Sequence, residues 1–321
     1  MPQKICIISF DHWNYDKHIT AALQKKGVDS YHIKIGDYKH ASVFDKITNA
    51  LSKVFLNKNL KKLRRQDFIV DELDRLGFQD QILVINPEVI DLEHHLQIKK
   101  RTNKYNAYLY DSMERNCIAH LLDGVFDTIY SFDANDVDNY NFLPITNYNY
   151  LEEVKAKAKE VYDAVYIGSL DDRVPLLIDL AKKFKTMNLN FNCVVLGKNK
   201  KLDALKAKGA EYIKFKENYI SQEQLIEEYK KAKVIVDFVR EKQTGLSFRF
   251  FEALALKKKM ITNNKNVLNY SFYNPNNIFV MDGENALPSM DFFTTEYEEL
   301  LPDTYDNYTI DKWIEKVFNL K

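Results

Sequence analysis

The sequence predicts an α/β protein made of two doubly wound, parallel-sheet domains facing a cleft. Three observations carry this reading. Short apolar and β-branched runs alternate with longer stretches of helical period, as crossover βαβ units require. The alternation breaks off and restarts near residue 160. The chain has 321 residues, too many for one ordinary core, and its 45% apolar and 13% aromatic content supplies folded interiors rather than disorder.

In the first half the expected strands are Ile5 to Ser9, Tyr31 to Ile35, Gln81 to Asn86, Ala107 to Tyr110, Thr128 to Ser131 and a short piece near Phe142. A lysine- and glutamate-rich helix from about Leu151 to Glu160 follows. The series then resumes with Ala164 to Gly168, Asn192 to Leu196, Tyr212 to Phe215, Val234 to Val239, Met260 to Thr262 and Ile278 to Met281. The domains are expected at residues 1–155 and 156–306, with a C-terminal helix over 307–321 packing back on the first.

Charge excludes one class of partner. Lys+Arg and Asp+Glu are both 46, and residues 1–150 alone carry 19 basic and 20 acidic side chains. A face broad enough for duplex nucleic acid unbalances at least one domain, so no nucleic-acid partner is expected. The apolar run Ile5 to Ile8 is far shorter than a signal-peptide core or a spanning helix. Cys6, Cys117 and Cys193 are scattered and odd in number, which suggests neither a disulfide framework nor a structural zinc site. The expected location is the cytoplasm, with Cys6 and Cys193 as buried thiols.

Two turns carry the chemistry. Strand Ala164 to Gly168 ends in Gly168-Ser169 ahead of a helix beginning near Arg173-Val174-Pro175, and such a turn aims backbone N–H groups and a helix dipole at an anion. A tight βα turn explains the same glycine equally well. The second is Gln243-Thr244-Gly245-Leu246-Ser247-Phe248-Arg249-Phe250-Phe251-Glu252-Ala253-Leu254-Ala255. Here Gly245 allows a sharp turn and Ser247 caps a helix starting near Leu246, whose Phe248, Phe251, Ala255 and Leu256 form a sheet-packing face. Arg249 and Glu252 share another side, three residues apart. A diphosphate at the helix tip with Arg249 beside it, and a ribose diol on Glu252, would suit this spacing; so would a simple exposed ion pair. No G-x-G-x-x-G or G-x-x-x-x-G-K-[ST] occurs, which argues against dinucleotide oxidoreductases and P-loop enzymes.

The segment G-L-S-x-R-x-F-E-A-L-A, followed by a lysine run and M-I-T-N-N, resembles the donor-binding helix of GT-B glycosyltransferases, in particular the CgeB-like bacterial group associated with lipopolysaccharide, capsule or spore-coat polysaccharide synthesis. Tyr108-Leu109-Tyr110-Asp111-Ser112, Ile129-Tyr130-Ser131-Phe132-Asp133 with Asp136 and Tyr140, and Phe142-Leu143-Pro144 resemble the same group in the same order. The resemblance implies two Rossmann-like domains, a nucleotide diphosphate sugar held by the second and a glycan or glycolipid acceptor entering from the first. It places the ribose on Glu252 and the phosphates near Gly245, Leu246 and Ser247, with Thr244, Gly168 and Ser169 in the donor site and Arg249 and Arg173 as counter-charges. Many retaining relatives carry a second glutamate where this chain has Thr244, so the stereochemistry stays open. So do two rival functions: a non-catalytic glycan-binding or scaffolding relative, and a nucleotide-sugar epimerase.

No cofactor is expected, and no metal, since GT-B enzymes resemble one another in stabilising the leaving diphosphate with helix N-termini and basic side chains. Asp136-Val137-Asp138 has D-x-D spelling but reads as a turn and helix start, and the adjacent His94 and His95 fall on different helix faces. Candidate catalytic groups are Asp11, His12 and Asp111, which follow first-domain strands, where open sheets bind ligands; Glu88 is placed similarly. Helix capping is the structural alternative for each acid. Finally, Phe44 to Arg65 reads as a long helix with an apolar stripe and seven basic residues against Asp45. It fits peripheral contact with the anionic inner face of the plasma membrane, and it fits packing on the sheet with solvated lysines equally well.

Overall fold

The computed structural model describes residues 2–38, 60–152, 158–197, 210–218, 220–283 and 286–320. The chain divides into two compact units, residues 1–145 together with 314–321, and residues 146–313.

Every expected strand is present. The first unit holds β1 Lys4–Ser9, β2 Asp29–Lys34, β3 Gln79–Ile85, β4 Thr102–Leu109, β5 Thr128–Ser131 and β6 Leu143–Pro144, ordered β2-β1-β3-β4-β5-β6 and all parallel. The second holds β7 Tyr162–Ser169, β8 Phe191–Leu196, β9 Ile213–Lys216, β10 Ala232–Asp237, β11 Lys259–Thr262 and β12 Ile278–Val280, ordered β12-β11-β10-β7-β8-β9 and again all parallel. Each sheet starts in its interior and grows in both directions. Its topological switch point lies between β1 and β3 in one unit and between β7 and β10 in the other. In such sheets the crevice for ligands opens outside the carboxyl ends of the strands at that point.

Some strands extend beyond their apolar runs. β4 begins with the polar Thr102-Asn103-Lys104, which join by pairing to β3 and not by hydrophobicity. The central strands β1 and β7 bury continuous runs, Ile5 to Ser9 and Ala164 to Gly168, as expected for strands covered on both faces. In the first unit Cys6, Ile8, Ile82, Val84 and Ala107 pack with Ile69 and Leu73 of α2 (Leu60–Leu76). In the second, Ala164, Tyr166, Val195 and Val236 pack with Val174, Leu177, Ala181 and Phe184 of α5 (Val174–Thr186), which Pro175 opens in its first turn. The remaining helices of the first unit are α1 Lys17–Lys25, α3 Leu92–Lys99 and α4 Ala134–Tyr140. Those that complete the chain are α6 Gln222–Lys230, α7 Phe248–Leu256, α8 Met290–Thr294, α9 Pro302–Asp306 and α10 Ile310–Phe318.

The last residues are tied to the first sheet. Gln81 donates to the carbonyl of Phe318 at 2.9 Å and Tyr130 to that of Val317 at 3.2 Å. One expectation needs correction, and another lies mostly outside the described residues. The helix expected from Leu151 to Glu160 is not formed at 151–152 or 158–160, and its centre lies outside the described residues. The basic Phe44 to Arg65 segment lies outside them too, apart from 60–65, which begin α2. Among the described residues no helix is long and apolar enough to cross a membrane. Cys6 and Cys193 are buried, and Cys117 is exposed.

Candidate functional site

A cluster of charged residues in the second unit lies where β7 and β10 end. Ser247 caps α7: its oxygen accepts from the Arg249 N–H at 3.3 Å, and its hydroxyl donates to Asp237, the last residue of β10, at 2.9 Å. The helix therefore starts two residues later than expected. It is buried almost all round, Arg249 alone of its nine residues escaping full burial, so the anticipated one-sided stripe is instead a core helix.

Arg249 turns back across the strand ends. It donates to Asp237 Oδ1 at 2.7 Å, to the Ile167 carbonyl at 2.7 Å and to the Tyr229 hydroxyl at 3.2 Å, and its guanidinium lies 5.1 Å from the centre of the Tyr166 ring. Burial works against this charge, but Tyr229, Asp237 and Tyr166 outweigh it and hold the arginine well above its ordinary pKa. Its Nη2 would stand 2.7 Å from a Cβ at Gly168, and the Tyr166 hydroxyl 2.5 Å. Gly168 is thus required for close approach, a reason the sequence alone could not separate from a simple tight turn. The Tyr166 hydroxyl is wholly buried with no hydrogen-bond partner among the described residues.

Arg173 approaches the same ring from the start of α5, 5.9 Å from its centre. It makes a bidentate pair with Asp171 (2.9 and 2.6 Å) and donates to the Phe238 carbonyl at 3.1 Å; Arg240 meets Asp171 at 3.3 Å. Although burial raises the Asp171 pKa, these arginines bring it below the usual carboxylate value. Three guanidinium groups therefore converge on the carboxyl edge at the switch point. Ser169 ends β7 beside them.

The loop before α7 is held from beneath by the residues after β11. Asn264 donates to the carbonyls of Thr244 (3.0 Å) and Gly245 (3.2 Å), Asn266 donates to Thr244 (2.9 Å), and Asn263 accepts from the Val239 N–H (2.8 Å). The T-N-N motif is a brace for the G-L-S turn. The Leu246 carbonyl accepts from Asn147 at 2.8 Å. Glu252, one turn into α7, is fully buried and accepts from the Tyr150 hydroxyl at 2.6 Å.

The carboxyl edge of the first sheet is acidic. Asp11 follows β1 in a left-handed conformation (φ 46°) and accepts from the Asp16 N–H at 2.9 Å, while Tyr110 donates to Asp16 in a short hydrogen bond. Burial and the neighbouring charge of Asp11 push the Asp16 carboxyl up to about 7, against the pull of hydrogen bonds from Ser9 and Tyr110. Ser9 also meets His32 at 2.9 Å, and burial lowers the pKa of that histidine. His12 stands apart from this group, exposed and stacked on Phe10. Asp111 lies in a second group: it meets Arg115 at 3.1 Å and Asn116 at 3.2 Å, and Asn116 also donates to Glu88 at 3.1 Å. Burial raises the Glu88 pKa.

Other sequence candidates have structural roles. Asp136 accepts from the Met113 N–H and from Ser131 at 3.0 Å each, while Asp138 is exposed. His94 meets Asp67 at 3.1 Å, and His95 is held by Tyr105 and the Pro87 carbonyl. Among the described residues no group of three or more His, Cys, Asp or Glu side chains could hold a metal ion. Asp237, Tyr166, Asp171, Tyr150 and Asp16 escaped sequence reading. Only Asp237 left a signal there, an acid closing a β-branched run in which charge is rarely buried.

No protein-family model matches the chain, and no curated protein sequence matches it. Solved structures do. It is similar to AviGT4, a glycosyltransferase involved in avilamycin A biosynthesis (TM-score 0.57, 9% identity, 99% of this chain and 96% of that one). It is similar to the lipopolysaccharide outer core galactosyltransferase WaaB (0.52, 12%, 99% of both). It is also similar to a UDP-GlcNAc 2-epimerase from Methanocaldococcus jannaschii (0.50, 12%, 99% of both). The fold is that of the GT-B glycosyltransferases, two parallel-sheet Rossmann-like domains in one chain.

Proposed function

We propose that this protein is a glycosyltransferase that takes a sugar from a nucleoside diphosphate sugar and passes it to a glycan or glycolipid acceptor of a surface polysaccharide. The observation that carries this reading is the arginine cluster at the β7/β10 switch point, on a fold whose solved examples include glycosyltransferases. Arg249, Arg173 and Arg240, with the N-terminus of α7, offer fixed positive charge where a diphosphate leaving group would accumulate negative charge. Catalysis then needs no metal ion. Gly168 keeps the backbone low beneath the phosphates, Ser247 fixes the helix tip, and Glu252 takes the ribose. Asp11, with Asp16 behind it, and Asp111 are the first-domain groups proposed to handle the acceptor proton.

Calorimetric titration with nucleoside diphosphates and their sugars tests this directly. Micromolar binding that disappears in Arg249→Ala, while Asp111→Asn binds normally, is the expected result; no binding of any nucleoside diphosphate would overturn it. The epimerase likeness favours a second reading, in which the donor itself is converted. Incubation of the bound nucleotide sugar without acceptor distinguishes the two, since only an epimerase changes the sugar under those conditions.

A further inference from the structure

Glu252 poses a physical problem for any ligand that is to use it. The residue is wholly buried, and Tyr150 already donates to its Oε1 at 2.6 Å. That length belongs to a charge-assisted O–H···O bond, among the stronger contacts a neutral side chain can offer a carboxylate. A buried carboxylate without donors is costly, so something must fill this place in the free chain.

Tyr150 belongs to a short strap that follows the first turn of α7. Asn147 donates to the Leu246 carbonyl at 2.8 Å. The Tyr148 ring meets Phe248 edge-on at 5.1 Å and Trp313 at 4.9 Å, and the Trp313 indole donates to the Thr146 carbonyl at 2.9 Å. The Tyr150 ring itself packs against Phe248 at 6.4 Å. The strap's apolar anchorage therefore does not depend on the Tyr150 hydroxyl, which is left to serve the carboxylate.

We infer that Tyr150 is a specificity-determining residue: its hydroxyl stands in for a ligand hydroxyl on Glu252, and a vicinal diol on a nucleoside diphosphate displaces it. The inference rests on the proposed donor site. Arg249 and Glu252 are three residues apart on one helix, about 4.5 Å of rise, which one ligand carrying a diphosphate and a ribose spans. Exchange of one hydroxyl for another keeps this place on Glu252 Oε1 filled, whereas a ligand lacking the diol has nothing to put there and leaves Tyr150 where it is. A ribonucleotide thus competes with Tyr150 for the carboxylate, and a deoxygenated analogue does not.

The full-length chain is titrated with UDP, GDP and ADP and with their 2′,3′-dideoxy counterparts, by calorimetry. The wild type should favour the ribo form of whichever base it binds. Tyr150→Phe keeps the ring and removes the competitor, so it should bind the ribonucleotide roughly tenfold tighter and the dideoxy form unchanged. Unchanged or weaker ribonucleotide binding in Tyr150→Phe overturns the inference. Glu252→Gln should abolish the ribo preference. A preference lost there but unmoved in Tyr150→Phe removes the Tyr150 role alone; no preference in the wild type removes the Glu252 assignment with it. Wild-type protein carrying 3-fluorotyrosine covers the case of a poorly folding variant. The Tyr150 fluorine resonance should move with the ribonucleotide and stay still with the dideoxy form, and movement with both would refute the exchange.

Discussion

The carboxyl edges of the two sheets are built alike and charged in opposite senses. In the second unit Arg173, Arg240 and Arg249 crowd the switch point, each neutralised on one side by Asp171 or Asp237, and Arg173 and Arg249 are also held over Tyr166 and by strand-end carbonyls. In the first unit the corresponding edge collects Asp11, Asp16, Glu88 and Asp111, with a carboxyl raised to about 7 and a neighbouring histidine lowered. The same topology has therefore been given two chemistries. One edge presents guanidinium groups and the other carboxyl groups. The sheets set where the groups gather, and the residues that follow each strand set the charge there.

The strongest way to break this comparison is to empty the cationic edge. Arg249→Ala leaves Asp237, 2% exposed, buried without its main partner. Loss of one member of such a pair costs about 3–5 kcal/mol, and urea unfolding should show it. A loss below about 1 kcal/mol would mean that the pair behaves as a surface contact. Restoring neutrality with Asp237→Asn in the same chain should recover part of the stability.

The acidic edge is tested through pH. Asp16 has a folded pKa raised from 3.8 to about 7, so the folded state holds a proton that the unfolded chain has lost between those values. Its contribution to stability is complete below about pH 4, declines as pH rises to about 7, and is flat beyond. The decline amounts to at most about 4 kcal/mol. Asp16→Asn should flatten this part of the stability curve measured by thermal melts. A variant curve parallel to the wild type would show that Asp16 does not hold the proton.

Gly168→Ala sharpens the role of close packing at the cationic edge. The new Cβ meets the Tyr166 hydroxyl at 2.5 Å and Arg249 at 2.7 Å, and overpacking of this kind costs about 1–3 kcal/mol. Nucleoside diphosphate affinity, read by calorimetry, should fall further than stability does, because the displaced atoms are those proposed to face the phosphates. The smallest effect belongs to Ser247→Ala, which removes a helix cap worth about 1 kcal/mol and loosens Asp237; denaturant midpoints would register it.

The strands were legible because burial on both faces writes continuous apolar runs into the sequence, and even the three-residue β12 could be placed. Their polar ends were not, since Thr102 to Lys104 join β4 through backbone pairing that composition does not encode. Within the site, Arg249 and Glu252 were visible through spacing and resemblance. Their partners were not. Asp237, Tyr229 and Ile167 reach Arg249 across 12, 20 and 82 residues of chain, and Tyr150 reaches Glu252 across 102. The Ser247 hydroxyl, expected near a phosphate, is engaged by Asp237 and the Arg249 N–H, a competition that only the folded backbone reveals.

Asn264 holds two carbonyls of the G-L-S loop with a single amide nitrogen, and its other side-chain atom accepts from the Asn266 N–H at 3.1 Å. Hydrolysis of that one amide to aspartate, the spontaneous ageing reaction of asparagine, would turn the donor into an anion facing two oxygen lone pairs. The turn would be pushed off its support while the sheet beneath stayed intact.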